Sequence, residues 1–299
     1  MKPAPALRGR DMALVLVIVA VWAINFLSSA LGLREIPPLL FTALRFGLLL
    51  LPLLLLMKKP PAGQWPRLIA VSICVGVIHF SLSFLALKLA GDLSSPAIVL
   101  QSYVPMTTVL AWWLLGEKVG WRTSAAIALS FLGVLVLGLD PHVLQKPMAL
   151  VAMLASAFAL AVGTILMKGL RGLDVFSQQG WMGVFSLPPL LVLSAWLEPG
   201  AIAALPHASW IAWLAAAFAA YASSLLGHGL YYWLVQRYPV AQITPWLLLV
   251  PVFAILLGVA FWGDHPGPRV LVGGAMVLSG VLVIALRAKL KARTVAEPA

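Results

Sequence analysis

Ten apolar stretches, each almost free of charge, dominate this 299-residue chain and leave it few ways to fold. They lie near 12–33, 36–57, 66–89, 94–116, 122–139, 147–168, 174–197, 209–235, 239–262 and 268–287. A bilayer core about 30 Å thick is crossed by about 20 residues of helix. Backbone groups in lipid must be satisfied within their own segment, so spanning helices follow rather than open strands. The connections are too short to hold a soluble domain: Arg34-Glu35 joins the first two stretches, and Lys58 to Trp65 the next. Composition agrees, with 62% hydrophobic and only 10% charged residues, where soluble domains carry about 25% charged. The expected fold is an all-α integral membrane protein with ten transmembrane helices.

Charge gives the orientation. Of the 20 Lys and Arg, one topology places fifteen on one side: Lys2, Arg8, Arg10, Lys58, Lys59, Arg67, Lys118, Arg122, Lys168, Arg171, Arg237, Arg287, Lys289, Lys291 and Arg293. Four fall on the other, Arg34, Lys88, Lys146 and Arg269, and Arg45 stays inside a span. Cytoplasmic loops carry the excess of basic residues, so both termini are expected inside a bacterial inner membrane. The same distribution explains the net charge of +11 without nucleic acid. The run from Met12 to Leu33 is too long for the apolar core of a signal peptide and reads as the first span. The lone Cys74 lies in an apolar run and reads as a small buried hydrophobe.

The text repeats. Met12-Ala13-Leu14 returns as Met148-Ala149-Leu150, and Pro52 as Pro188. Further on, Pro105 pairs with Pro251, Gly116 with Gly263, and Gly133-Val134-Leu135-Val136 with Gly280-Val281-Leu282-Val283. Each half, 1–144 and 145–299, thus holds five spans. Five is odd, so the second half enters from the opposite side. Inverted repeats are a mark of secondary carriers, with the binding site near the midplane where the halves meet.

Ser94-Ser95-Pro96-Ala97, Pro105, Leu114-Leu115-Gly116-Glu117 and Gly133-Val134, echoed by Pro239, Pro251, Gly263-Asp264 and Gly280-Val281, resemble the drug/metabolite transporter superfamily in its ten-helix, two-repeat branch. The resemblance covers nearly the whole chain and extends to bacterial aromatic amino acid exporters. It implies export of aromatic amino acids and related metabolites. Asp264 departs from that pattern, which often has Glu there.

Polar groups at membrane depth are costly and need a reason. On the third span His79 and Ser83 share a face, and on the eighth Ser224, His228, Tyr231 and Tyr232 do the same. The fourth carries Gln101 and Tyr103, the ninth Gln242 and Trp246, the first Trp22 and Asn25. Matching helices of the two halves thus hold the candidate substrate-binding residues: Trp22, Asn25, His79, Ser83, Gln101, Tyr103, His228, Tyr231, Tyr232, Gln242 and Trp246. The competing reading for the serines is backbone or interhelix bonding. Trp65, Trp121, Trp210 and Trp262 read as interface anchors. Pro105 and Pro251 remove a helical hydrogen bond in equivalent helices, giving paired kinks and candidate hinges. Arg45 has three open readings: snorkelling, binding a carboxylate, or capping the carbonyls of a broken helix. Gly133, Ser130, Gly273 and Gly280 offer small surfaces for close helix or subunit contact.

No phosphate-binding Gly-Lys-Ser or Gly-Lys-Thr loop is present, so no nucleotide or other cofactor is expected. Two lone histidines without deep acidic partners give no metal site. The acidic residues lie at helix ends, which leaves facilitated export or proton exchange through His79 or His228 as the open choices. The rival classes are a membrane-embedded enzyme, which lacks a nucleophile–base pair, and a channel, which inverted halves do not favour. A small-molecule substrate and the bilayer are the expected partners. A monomer suffices for this reading, and the sequence leaves the oligomeric state open.

Overall fold

The computed structural model describes residues 9–235, 237–238 and 240–296, without the side chains of 232, 235, 240–242, 244 and 288–296. Among the described residues the chain is helical and contains no strand. Among the described residues nine helices are long and apolar enough to cross a membrane: α1 (Gly9–Gly32), α3 (Trp65–Ala90), α4 (Ser94–Leu115), α5 (Trp121–Gly138), α6 (Pro147–Met167), α7 (Val175–Leu197), α8 (Trp210–Tyr231), α9 (Pro245–Trp262) and α10 (Pro268–Arg287). Between the first two lies a shorter apolar helix, α2 (Pro38–Leu53), of 16 residues. The stretch 36–57 therefore yields less helix than its hydropathy predicts. Pro37 and Pro38 delay the start, and after Leu53 the apolar residues Leu54 to Leu56 form a turn.

The helix ends follow from local chemistry. Pro occupies the first helical turn of α2 and α6, where a missing N–H costs nothing. The Asp174 side chain accepts from the Ser177 amide and the Ser209 side chain from the Ala212 amide, capping α7 and α8. Gly116 and Gly263, matched in the repeat, end α4 and α9 at φ values of 65° and 79°. That left-handed conformation is open to glycine and strained for other residues.

Three helices depart from α geometry. Wide turns of the i→i+5 kind run over Ser72–His79 in α3, Phe218–Gly227 in α8 and Gly258–Trp262 at the end of α9. Such bulges frequently sit at functional sites. The Pro105 and Pro251 kinks are present as interruptions: α4 breaks at Gln101-Ser102 and the ninth stretch at Leu248. Each break falls three or four residues before its proline, where the missing N–H leaves a carbonyl without its helical donor.

Packing joins the two halves intimately. The α2 helix packs on α7, and α5 on α10. The α1 helix packs on α8 and α9, while α6 packs on α3 and α4. Exchanging each helix for the one five later leaves this set of contacts unchanged. At the α5–α10 crossing, a Cβ on Gly133 would stand 2.6 Å from the Gly273 carbonyl oxygen, and one on Gly273 would stand 2.5 Å from that of Gly133. The small residues thus bring two helices of one chain together. Ser130 Oγ donates to the Val277 carbonyl across the same seam.

Candidate functional site

Three of the candidates, Trp22, His228 and Tyr231, gather where α1 and α8 meet. Trp22 of α1 donates its indole Nε1–H to the Ser223 carbonyl of α8 at 3.2 Å. Its ring lies 5.2 Å from that of His228 and 6.1 Å from that of Tyr231, both tilted. His228 Nδ1 sits 3.2 Å from the carbonyls of Ser223 and Ser224.

Arg45 of α2 belongs to the same cluster. Its side chain is buried, with 2% of the residue exposed, so snorkelling does not describe it. Nε donates to Ser224 Oγ at 3.0 Å, and that hydroxyl donates in turn to the Ala219 carbonyl at 2.8 Å. The guanidinium lies 4.0 Å above the Phe80 ring and 5.9 Å from that of Phe84. Cation–π contact of this kind strengthens where water is excluded.

His79 and Ser83 do share a face, and it is turned to α6. His79 Nδ1 lies 2.8 Å from Ser156 Oγ, and that hydroxyl donates to the His79 carbonyl at 2.9 Å. Ser83 Oγ makes a long contact of 4.0 Å with Met153 Sδ. His79 is buried, while Ser83, Asn25, Gln101 and Tyr103 are half-buried. Asn25 Oδ1 is buried and has no hydrogen-bond partner among the described residues. Gln101 lies in the α4 break, and Trp246 is exposed. The Tyr232 and Gln242 side chains lie outside the described residues. Residues absent from the sequence-based candidates include Phe80, Ser156 and Ser223. The sequence neighbours His79 and Ser224 signalled Phe80 and Ser223, while nothing near Ser156 in the chain signalled it.

The two ends of the bundle differ. At one end Asp264, 4% exposed, accepts from the amides of Leu93 and Ser94, each at 2.9 Å, and from Ser94 Oγ at 2.6 Å. It thereby caps α4 from the opposite half. Trp262 Nε1 donates to the Gly91 carbonyl, and Arg34 stacks on the Trp262 ring. Lys146 donates to the Ala90 carbonyl and Arg269 to that of Leu139. A recess here is lined by Asp92, Ser95, His142 and Lys146, apart from the Arg45 cluster. Burial pushes the Asp92 carboxyl above its ordinary value, against the lowering effect of Ser95 and with help from Asp264. At the other end Glu117, the repeat partner of Asp264, pairs with Lys168 at 3.0 Å, half-exposed. Lys58 pairs there with Asp174, and Arg67 donates to the Gly169 carbonyl.

Among the described residues no group of three His, Cys, Asp or Glu could hold a metal ion. The arrangement suits noncovalent binding of an organic solute: π faces, hydroxyls and one cation, mostly in apolar surroundings. Such a set, carried on apolar helices contributed by both halves, defines a multi-pass membrane protein built around an interhelical cluster.

The EamA-like transporter family matches residues 10–139 and again residues 147–286. The chain belongs to that family. A relative from Escherichia coli K12 named as a probable amino-acid metabolite efflux pump is 27% identical over 284 residues, covering 92% of this chain and 94% of its own. A probable terminal-alkyne amino-acid exporter from Streptantibioticus cattleyicolor is 28% identical over 216 residues, 70% of each chain. A solved crystal structure aligns with a TM-score of 0.60 at 18% identity, covering 97% of this chain and all of that one. That likeness speaks to the fold alone.

Proposed function

We propose that this chain is a secondary carrier that exports amino-acid-like solutes, aromatic ones included, across a bacterial inner membrane by alternating access. Ten spans, counting α2, form two inverted five-helix repeats, 1–144 and 145–299, with both termini in the cytoplasm. The double match of one family pattern, with its gap at 140–146, supports the repeat. So does the contact set that survives exchange of the halves. The basic residues assigned outside, Arg34, Lys146 and Arg269, group with the Asp264 end, and Lys58, Arg67 and Lys168 with the other. That partition supports the orientation.

The observation that carries the functional reading is the cluster of Trp22, Arg45, Ser224, His228 and Tyr231, contributed by both repeats. The names of the relatives supply the solute class. Equivalent carboxylates in unlike settings, Asp264 buried as a cap and Glu117 half-exposed in an ion pair, support a carrier closed at one end. Pro105 and Pro251 serve as the hinges of the closing movement. Uptake of labelled amino acids into inside-out vesicles, with and without a pH gradient, tests the reading. Saturable, counter-exchangeable flux is expected, and dependence on the gradient reveals proton exchange. Vesicles with abundant folded protein and no flux above the empty-vector background refute it.

A further inference from the structure

We propose that Arg45 is the carboxylate receptor of the transport site and makes the carrier selective for solutes bearing a carboxylate. The proposal rests on the carrier reading above and adds the chemical group that is recognised. Every other buried charged side chain among the described residues is an acid with a polar partner. Asp11 accepts from Tyr238, Asp140 from the His142 amide, and Asp264 from Leu93 and Ser94. Arg45 is the one buried Lys or Arg among the described residues, and no described carboxylate lies within ion-pair distance of it.

Its hydrogen bonding is as incomplete as its charge balance. A guanidinium has five N–H donors in a planar fork. Among the described residues, only Nε–H is used, toward Ser224 Oγ. Phe80 lies 4.0 Å from the guanidinium carbon, and the donors left to an approaching anion are those on the edge carrying Nη1 and Nη2. That edge matches a carboxylate in a two-point contact. Holding a base at this depth without a counter-charge destabilises the fold unless a ligand uses it. The neighbouring groups are aromatic, which suits the ring of an aromatic solute. Ser223, next to the Arg45 partner Ser224, accepts from Trp22, whose ring faces His228 and Tyr231. Among the described residues no carboxylate bonds to this group of side chains to receive an ammonium, so the acid end of an amino acid is the end that is read.

The test uses the full-length protein in proteoliposomes, with labelled phenylalanine as the transported probe. Competition is measured with 3-phenylpropionate, which keeps only the carboxylate, and with phenethylamine, which keeps only the ammonium. Phenylpropionate is expected to compete and phenethylamine to compete about tenfold less well or worse, a charge-assisted two-point contact being worth at least that factor. Arg45→Gln is expected to raise the KM for phenylalanine about tenfold or more and to abolish the preference between the competitors, with Arg45→Lys intermediate. Melting in detergent separates this from a structural role. Removing an unpaired buried charge should leave the Arg45→Gln midpoint equal to or above that of wild type. Equal competition by the two probes, an unchanged KM, or flux lost together with a lowered melting point overturns the proposal while the carrier reading stands. Folded wild-type protein that carries no amino acid overturns the carrier reading and this assignment with it.

Discussion

Asp264→Ala should destabilise the protein by about 2–4 kcal/mol. The carboxylate receives three hydrogen bonds from Leu93 and Ser94, residues that are themselves 0% and 2% exposed. Truncation leaves two amide N–H groups at the start of α4 buried without acceptors. Each such orphan costs about 1–3 kcal/mol, and losing the carboxylate forfeits its favourable position at the positive end of a helix. Part of this is offset because a buried charge no longer has to be desolvated. Asn keeps one acceptor oxygen but turns an NH2 toward donors, so Asp264→Asn should cost about 1–2 kcal/mol. An independent route to the same loss is Gly258→Ala. A Cβ there would stand 2.2 Å from Asp264 Oδ2 and would push the carboxylate off its donors. The assay is equilibrium unfolding in mixed detergent micelles, followed by tryptophan fluorescence, with folded yield measured by size-exclusion chromatography. An Ala variant within about 0.5 kcal/mol of wild type would refute the reasoning, because that is the spread of a neutral surface change.

The remaining predictions concern the seam, the recess and the kinks. Gly133→Val forces side-chain carbons against the Gly273 backbone and should cost about 1–3 kcal/mol, read as a lowered unfolding midpoint. The Asp92 carboxyl is raised above its ordinary value of 3.8 by burial and by Asp264, so the folded state holds that proton more tightly than the unfolded chain. Its contribution to stability therefore grows as pH falls through the raised value and is complete below 3.8. Unfolding midpoints of wild type and Asp92→Asn, compared across acid pH, should differ by that slope, and parallel curves would count against it. Pro105→Ala supplies the i→i+4 donor that the Gln101 carbonyl lacks at the α4 break, where it accepts from Val104 instead. It should raise the melting point while slowing flux, and unchanged flux would remove Pro105 from the hinge role.

Much of the architecture was legible because transfer into lipid is a local property. The stretches from 66–89 to 268–287 became helices within a few residues of their predicted ends, since each residue adds its own apolar contribution independently of distant partners. The second stretch shows the limit, as Pro37, Pro38 and the turn after Leu53 shorten it where hydropathy alone sees no boundary. The repeat of Gly133 and Gly280 pointed to close helix contact, and the structure places both at the α5–α10 crossing.

The cluster was legible only in part. Helical spacing put Ser224, His228 and Tyr231 on one face, and they meet Arg45 and Trp22 there. The same spacing put His79 and Ser83 together without revealing that they face Ser156 and Met153. Nor did it reveal that a wide turn precedes His79 and another precedes His228, each resetting the rotation of the helix that follows.

By itself, then, the sequence determined that the chain is helical, apolar and repeated, and which of its residues carry an unusual polar cost. Only the tertiary structure decided that Arg45 meets Ser224 179 residues away, that Trp22 meets Ser223 across 201, and that Asp264 caps a helix in the other half. Those pairings depend on how far each helix is rotated about its axis and how deeply it sits against its neighbours. Both are set by the interlocking of side chains along entire helices, a collective quantity that no local stretch of sequence contains.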